Sequence, residues 1–331
     1  TFTLRDFLDC SASQRQRRAG RSDLLRCLDG RGRVRIEFAP RLDFGRLATR
    51  LSAAEDGLHI EGAFDPIALY APGVAWTIND HGHHQTATAE VDLDAHDGRL
   101  LLELRYGTRS LRPAAQEASK RLHDTTAYWS RWADELELPR VEPELVRRSA
   151  LVLKSLCYGP SGAIAAAATT SLPEQMGGVR NWDYRFCWLR DGAMAANALI
   201  TLGSLAEAMQ FLDWCLGVVA RCESAASLQP LYSVTGDELT SEATISELSG
   251  YRGSRPVRVG NLAARQVQLD VFGEVVDTIA RSAEHGAPLS AEHWRLVEAM
   301  VHAVRERWHE PDHGIWEIRR PRRHHPWRNN R

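Results

Sequence analysis

"TTSLPEQMGGVRNWDYRFCWLRDGAMAANALITLG", residues 169–203, holds the densest run of charged and aromatic residues in the chain. Arg180, Asp183, Arg185, Arg190 and Asp191 alternate with Trp182, Tyr184, Phe186 and Trp188, and an alanine-rich apolar run begins near Gly192. Flat aromatic rings interleaved with bidentate donors and acceptors suit a sugar. Its C–H faces stack on the rings while carboxylate and guanidinium groups hold its hydroxyls. Two other readings fit the same composition. One is a loop stapled by Arg–Asp pairs with no ligand. The other is a stacking platform for nucleic acid, which the acidic residues beside the arginines disfavour.

Outward from this stretch, the downstream chain reads as helical hairpins. Leu205, Ala208, Met209, Leu212, Cys215, Leu216 and Val219 repeat with a period near 3.6, as do Val267, Val271, Val275 and Ile279. Trp294, Val297, Val301, Val304 and Trp308 form a third stripe, with Ser290 as its N-cap. Long glycine- and aromatic-rich loops, 159–189 and 223–260, join these helices, and loops of that length usually build a site. Upstream, "GRVRIEFAPRLDFG", "TATAEVDL" and "LLLELRY" alternate with period two, the last two flanking the turn "DAHDG". The expected organisation is a β-sandwich over residues 1–106, its first strands missing, then a linker helix over 107–138 carrying Trp129 and Trp132. A helical domain over 139–319 follows, with a divergent basic tail over 320–331.

Composition narrows the function. The 331 residues are 44% hydrophobic and 25% charged with a formal net charge of −2, so no global field attracts nucleic acid or an anionic membrane. A small-molecule ligand is the expectation, with neither nucleic acid nor membrane as partner. No apolar run approaches the length of a membrane-spanning helix. Arginine far outnumbers lysine, of which there are only Lys120 and Lys154, and this is read as coding bias. Six cysteines without a C-x-x-C pair point to a reducing cytoplasm. His81, His83 and His84 lack further ligands and read as a surface turn, and "DLDAHDG" (92–98) reads as a hairpin turn without the spacing of a calcium loop. No metal and no cofactor are expected.

"GGVRNWDYRFCWLRD" closely resembles the RNWDYRYCWLRDA stretch of glycoside hydrolase family 15, the glucoamylases and bacterial trehalases. "TTSLPE" before it, "GYRGSRPVRVGNLAARQVQLDVFGE" (250–274) and "GIWEIR" (314–319) agree in order and spacing, and the "YWSRW" helix resembles that family's linker. The resemblance extends to about His325. It implies a β-sandwich followed by an all-α (α/α)6 toroid that hydrolyses an α-glucosidic bond with inversion. That chemistry needs two carboxyl groups roughly 6.5–9.5 Å apart, one protonating the leaving oxygen and one activating water. By position, the resemblance makes Glu317 the general acid, with Trp316 and Ile315 placed to desolvate its carboxyl and raise its pKa. Arg190 and Asp191 match the pair that grips the terminal glucose, with Trp188 beside them. Trp182 and Asp183 match pocket wall, and Arg255, Arg258 and Asn261 a second substrate-lining loop; Trp316 completes the set.

The chain departs from the family in extent. About five toroid helices lie between Pro143 and Glu310 where the family has twelve, so roughly half the toroid is expected, in a chain truncated at both ends. The general base falls in the absent half. Glu238, Glu242 and Glu247 do not match its motif, and the family pattern breaks off near His325. The chain alone is therefore expected to hydrolyse neither trehalose nor maltooligosaccharides, and its unpartnered apolar helices are expected to self-associate. Trehalose is favoured over α-glucans as the family substrate. The alternative is an inactive carbohydrate-binding remnant; a lyase is disfavoured because a glutamate stands where a Tyr or His base would be needed.

Overall fold

Period-two alternation in the first hundred residues becomes strands, and the helical stripes beyond become helices. A computed structural model describes residues 1–11, 20–239, 241–317 and 319–324. Its contacts divide the chain into two units, Thr1–Trp132 and Ala133–Arg331.

The first unit holds β1 (Phe2–Leu8), β2 (Ser22–Gly30), β3 (Arg33–Phe38), β4 (Arg50–Ala54), β5 (Gly57–Glu61), β6 (Ile67–Tyr70), β7 (Thr77–Asp80), β8 (Gln85–Asp92) and β9 (Arg99–Tyr106). They form an antiparallel six-stranded sheet, β1-β2-β9-β6-β5-β4, and a three-stranded sheet, β3-β8-β7. Leu28, Leu58, Leu69, Leu100 and Leu102 of the larger sheet share one core with Val34, Ala87, Ala89 and Val91 of the smaller. The turn expected to join β8 and β9 as a hairpin does something else. Leu93–His96 is a 3₁₀ turn, Asp97 takes a left-handed φ of 52°, and the chain crosses from one sheet to the other. Leu93, fully buried, fixes the crossover, because it lets Val91 and Leu100 both face the shared core from different sheets.

Helix α1 (Ala118–Asp134) follows. Arg121 and Thr125 are its buried face, with Trp129 and Trp132 half-buried on the same stripe. Within the first unit, Arg121 donates from Nε to Asp9 (2.7 Å) and from Nη1 to Glu103 (2.9 Å); Glu103 also accepts from Arg105 (2.9 Å).

The second unit contains α2 (Pro143–Ser155), α3 (Leu189–Thr201), α4 (Leu205–Val219), α5 (Val271–Glu284) and α6 (Ala291–Arg307), five α-helices among its described residues. Proline opens α2, where its missing N–H costs nothing. The core gathers Leu189, Ala193, Ala196 and Ile200 from α3 with Phe211, Leu212, Cys215 and Val218 from α4. Val271, Phe272, Val275 and Ile279 of α5 and Leu296, Met300 and Ala303 of α6 complete it. Gly192 permits the α3–α4 approach: a Cβ there would lie 2.4 Å from the Phe211 ring. Lys154 and Glu207 form a buried ion pair that Ser204 completes with its hydroxyl.

On α6 the Ser290 N-cap forms as expected, its N–H donating to His293 Nδ1 at 3.1 Å. Of the expected stripe, Val297 packs against the core and the other four residues do not. α6 buries His293, Leu296, Met300 and Ala303, whereas Trp294 (62%), Val301 (47%), Val304 (38%) and Trp308 (61%) are exposed. The helix carries apolar residues on two faces, and the face with Leu296, Met300 and Ala303 lies against the core.

Short strands tie the two long loops to each other and fold each back on itself. β10 (Cys187–Trp188) pairs with β11 (Leu231–Tyr232), and β12 (Glu242–Ile245) with β13 (Val257–Gly260). A single bridge joins Thr170 to Asp183.

Candidate active site

β13 delivers Asn261, whose side-chain Oδ1 accepts from the Ala263 N–H at 2.8 Å and so caps a 3₁₀ turn over Leu262–Arg265. Capping fixes the amide. Its Nδ2 then donates to the Asp183 carbonyl and to Glu317 Oε2, both at 3.1 Å. The Glu317 side chain is only 6% exposed, and its Oε1 accepts from Arg319 Nη2 at 2.8 Å and Nε at 3.3 Å. Burial pushes the Glu317 carboxyl above the ordinary carboxylate range. The Arg319 and Asn261 hydrogen bonds pull it down, the Glu242 charge pushes it up, and the balance is upward. Trp316, expected to help exclude water, is 69% exposed; the carboxyl is enclosed from the Asn261 and Arg319 side instead.

Around this acid stands a ring of charge. Glu242, at the start of β12, accepts from Arg319 Nη2 (2.6 Å) and the Leu262 N–H (3.2 Å), and pairs with Arg258 Nε (3.4 Å). Arg258 Nη1 donates to the carbonyls of Val179 (3.0 Å) and Asn181 (3.2 Å), while its backbone N–H donates to Ser171 Oγ (2.7 Å). The guanidinium groups of Arg258 and Arg319 each lie 4.4 Å from the ring centre of buried Trp182. Asp183 is fully buried and fully engaged, accepting a bidentate pair from Arg185 (2.8 and 2.7 Å) and the Gly260 N–H (2.9 Å). Gly260 is required there: at φ +80°, a Cβ would meet the Ser241 carbonyl at 2.1 Å.

A second cluster opens α3. Arg190 Nη1 donates to Gln268 (3.0 Å) and Asp270 (3.2 Å), and Nη2 to Asp191 (3.0 Å). Asp191 sits in the first turn of α3, where a carboxylate complements the helix dipole, and its side chain is 46% exposed against 13% for Arg190. Tyr184 lies between the clusters. It meets Trp188 edge-on at 5.5 Å, and burial together with the Glu317, Glu174 and Asp191 charges holds its phenol well above its ordinary range. Trp188 itself is buried against Leu231, Ala263 and Ala264.

Of the residues expected at the site, Trp182, Asp183, Arg258, Asn261 and Glu317 thus form one network, and Arg190 with Asp191 another. Trp188 is core, and Arg255 and Trp316 are exposed. Arg319, Gln268 and Asp270 lie inside the quoted motifs and Tyr184 is one of the aromatic rings of the first, yet none of the four is among the expected site residues. Glu242, whose motif does not match that of the general base, is brought to Glu317 through Arg319, a link across 77 positions that no local pattern signals. Among the described residues, no group of three or more His, Cys, Asp or Glu is arranged to hold a metal ion, and no helix is long and apolar enough to cross a membrane. His83 of the histidine turn lies 3.1 Å from the Arg46 carbonyl.

The sequence profile described as "Glycosyl hydrolases family 15" matches residues 140–325, and that described as "Trehalase-like, N-terminal" matches residues 2–129. A trehalase of Thermoplasma acidophilum is 33% identical over 288 residues, covering 87% of this chain and 48% of its own length. A trehalase of Mycobacterium tuberculosis is 32% identical over 312 residues, covering 89% and 44% respectively. A bacterial glucoamylase solved in complex with acarbose superposes with a TM-score of 0.50 at 15% identity, over 86% of this chain and 41% of that one. That likeness is one of fold, a sheet-rich region followed by a helical one. The chain spans about half the length of these curated relatives. It belongs to glycosyl hydrolase family 15.

Proposed function

We propose that this chain carries the acid side of an inverting α-glucoside hydrolase site, with trehalose as the preferred substrate over α-glucan oligosaccharides. The carrying observation is Glu317: a carboxyl enclosed in a network of fixed donors, with burial raising its pKa toward the protonated state a general acid needs. Glu317 gives its proton to the leaving glycosidic oxygen. Asp191, the exposed member of its pair, accepts from hydroxyls of the terminal glucose, while Arg190 is oriented for the same sugar by Gln268 and Asp270. Trp182, Asp183, Arg258 and Asn261 hold the pocket wall from behind, Trp188 backs it from the core, and Arg255 and Trp316 contribute from its exposed rim.

Inversion requires a second carboxylate on the far side of the anomeric carbon. Glu242 does not fill that role. Glu242 and Glu317 accept from the same Arg319 nitrogen at 2.6 and 2.8 Å, so their oxygens are closer than the roughly 6.5–9.5 Å of an inverting pair. We assign no base within this chain. The five helices of the second unit are read as the first part of a six-hairpin toroid, and the exposed stripe on α6 as a surface for self-association. Six cysteines without a C-x-x-C pair support a cytoplasmic site of action.

Calorimetric titration with trehalose tests the binding half of this reading. The chain should bind the disaccharide, and Asp191→Asn should weaken binding by about tenfold or more, as for hydrogen bonds to a charged group. Absence of binding to the unsubstituted chain would refute the site.

A further inference from the structure

Arg319 is over-subscribed. Its Nη2 carries two N–H bonds and faces three oxygens: Glu242 Oε2 at 2.6 Å, Glu317 Oε1 at 2.8 Å and Asn261 Oδ1 at 3.1 Å. Asn261 Oδ1 already accepts from Ala263, so the contest is between two carboxylates for one cation. Their other supports differ. Glu242 is also held by the Leu262 N–H and by Arg258, whereas Glu317 has the Asn261 amide. The guanidinium lies over Trp182, a flat surface on which it can shift sideways and keep its cation–π contact.

The arrangement conflicts with donating a proton. Guanidinium on one oxygen of Glu317 and amide on the other both favour the anion. The groups that face this carboxyl electrostatically are Arg319 and Asn261, then Glu242 and Arg258, with the Tyr184 phenol also within reach of its charge. Only Arg319 is both a direct partner of Glu317 and equipped with a second carboxylate to go to.

We propose that Arg319 is a positioning residue shared between Glu317 and Glu242, and that its shift toward Glu242 readies Glu317 to carry a proton. This rests on the reading of Glu317 as general acid and adds the counter-ion exchange that the geometry supplies. When Arg319 sits on Glu317, the carboxyl is held as the anion. When Arg319 moves to Glu242, Glu317 takes a proton from water and keeps the Asn261 contact, while the guanidinium charge stays paired.

The test is the titration of the Glu317 carboxyl itself, followed by ¹³C NMR of the full chain labelled at glutamate Cδ. Its resonance is assigned by its loss in Glu317→Gln. Arg319→Met should raise the midpoint by about one pH unit, as for loss of an adjacent opposite charge. Arg319→Lys should fall between that variant and the unsubstituted chain. Glu242→Gln should move the midpoint the other way, downward, because the cation then serves Glu317 alone. A role limited to stapling the 314–324 segment would lower the melting temperature without moving the midpoint in opposite directions. An unmoved midpoint in Arg319→Met, or an upward one in Glu242→Gln, overturns the proposal. Because loss of the Glu242 charge lowers the midpoint by itself, the deciding comparison is Glu242→Gln made in the Arg319→Lys chain: a downward shift smaller than in the unsubstituted chain supports the exchange, and an equal shift overturns it. Failure here leaves the acid role of Glu317 standing, since that role is read from product formation in Glu317→Gln.

Discussion

Gly192→Ala sets two physical effects against each other with opposite signs. Position 192 lies in α3, and exchanging glycine for alanine inside a helix gains about 1 kcal/mol of propensity. Against this, the new methyl would stand 2.4 Å from Phe211 Cε2 and 2.8 Å from Cζ. Phe211 is fully buried and stacks on Trp214 with ring centres 5.8 Å apart, so its ring has no empty space to enter. Overpacking a tight core costs about 1–3 kcal/mol, and a contact this short belongs at the upper end. The net expectation is a loss of about 1–2 kcal/mol. In a unit of this size that lowers the melting temperature by about 2–8 °C. Urea unfolding followed by circular dichroism measures the loss, and adding Phe211→Leu should restore part of it by making room. Because Arg190 and Asp191 open the same helix, weaker trehalose binding should accompany the destabilisation. A Gly192→Ala chain more stable than its parent would refute the claim that glycine is there for close packing.

Other perturbations follow from the same structure. Lys154→Met leaves Glu207 buried with the Ser204 hydroxyl but without its counter-charge, and should cost about 3–5 kcal/mol in urea unfolding; Lys154→Met with Glu207→Leu should recover most of it. Arg121→Met removes the cation from Asp9 and one of the two cations on buried Glu103, which keeps Arg105, so a smaller loss, about 1–3 kcal/mol, is expected in unfolding of the first unit. The raised carboxyl of Glu317 makes stability pH-dependent. Its stabilising contribution is fully present below the unfolded value of 4.5 and is lost as pH rises through the higher folded value. The stability of Glu317→Gln relative to the parent should therefore increase over that rise and then level off; a difference independent of pH would contradict the buried-acid assignment.

Much of this was legible in the sequence because the signals were local. Period-two alternation located the sheets, the 3.6-residue stripes of α4 and α5 located two packed helices, and Ser290 announced the start of α6. What was missed depended on where a segment goes after it turns. "DAHDG" has the composition of a hairpin, and only the need of Val91 and Leu100 to fill one core from two sheets makes it a crossover. On α6 the two tryptophans at 3.6-residue spacing invited burial, yet packing selected the face with Leu296 and Met300. At the site, Glu317 and Asn261 were legible from motif position, but their contact joins residues 56 positions apart. Glu242 and Arg319 lie 77 positions apart, and no spacing rule reaches across such a loop.

In the proposed site Glu317 protonates the leaving group, and no residue of the chain is assigned as the base. A small external nucleophile can stand in for the activated water. Incubating the chain with trehalose and azide, and analysing products by NMR, tests this directly. The expected products are β-glucosyl azide and glucose, with no turnover of trehalose when azide is omitted and no azide product from Glu317→Gln. Product formation undiminished in Glu317→Gln, or no β-glucosyl azide from a chain that binds trehalose, would contradict it.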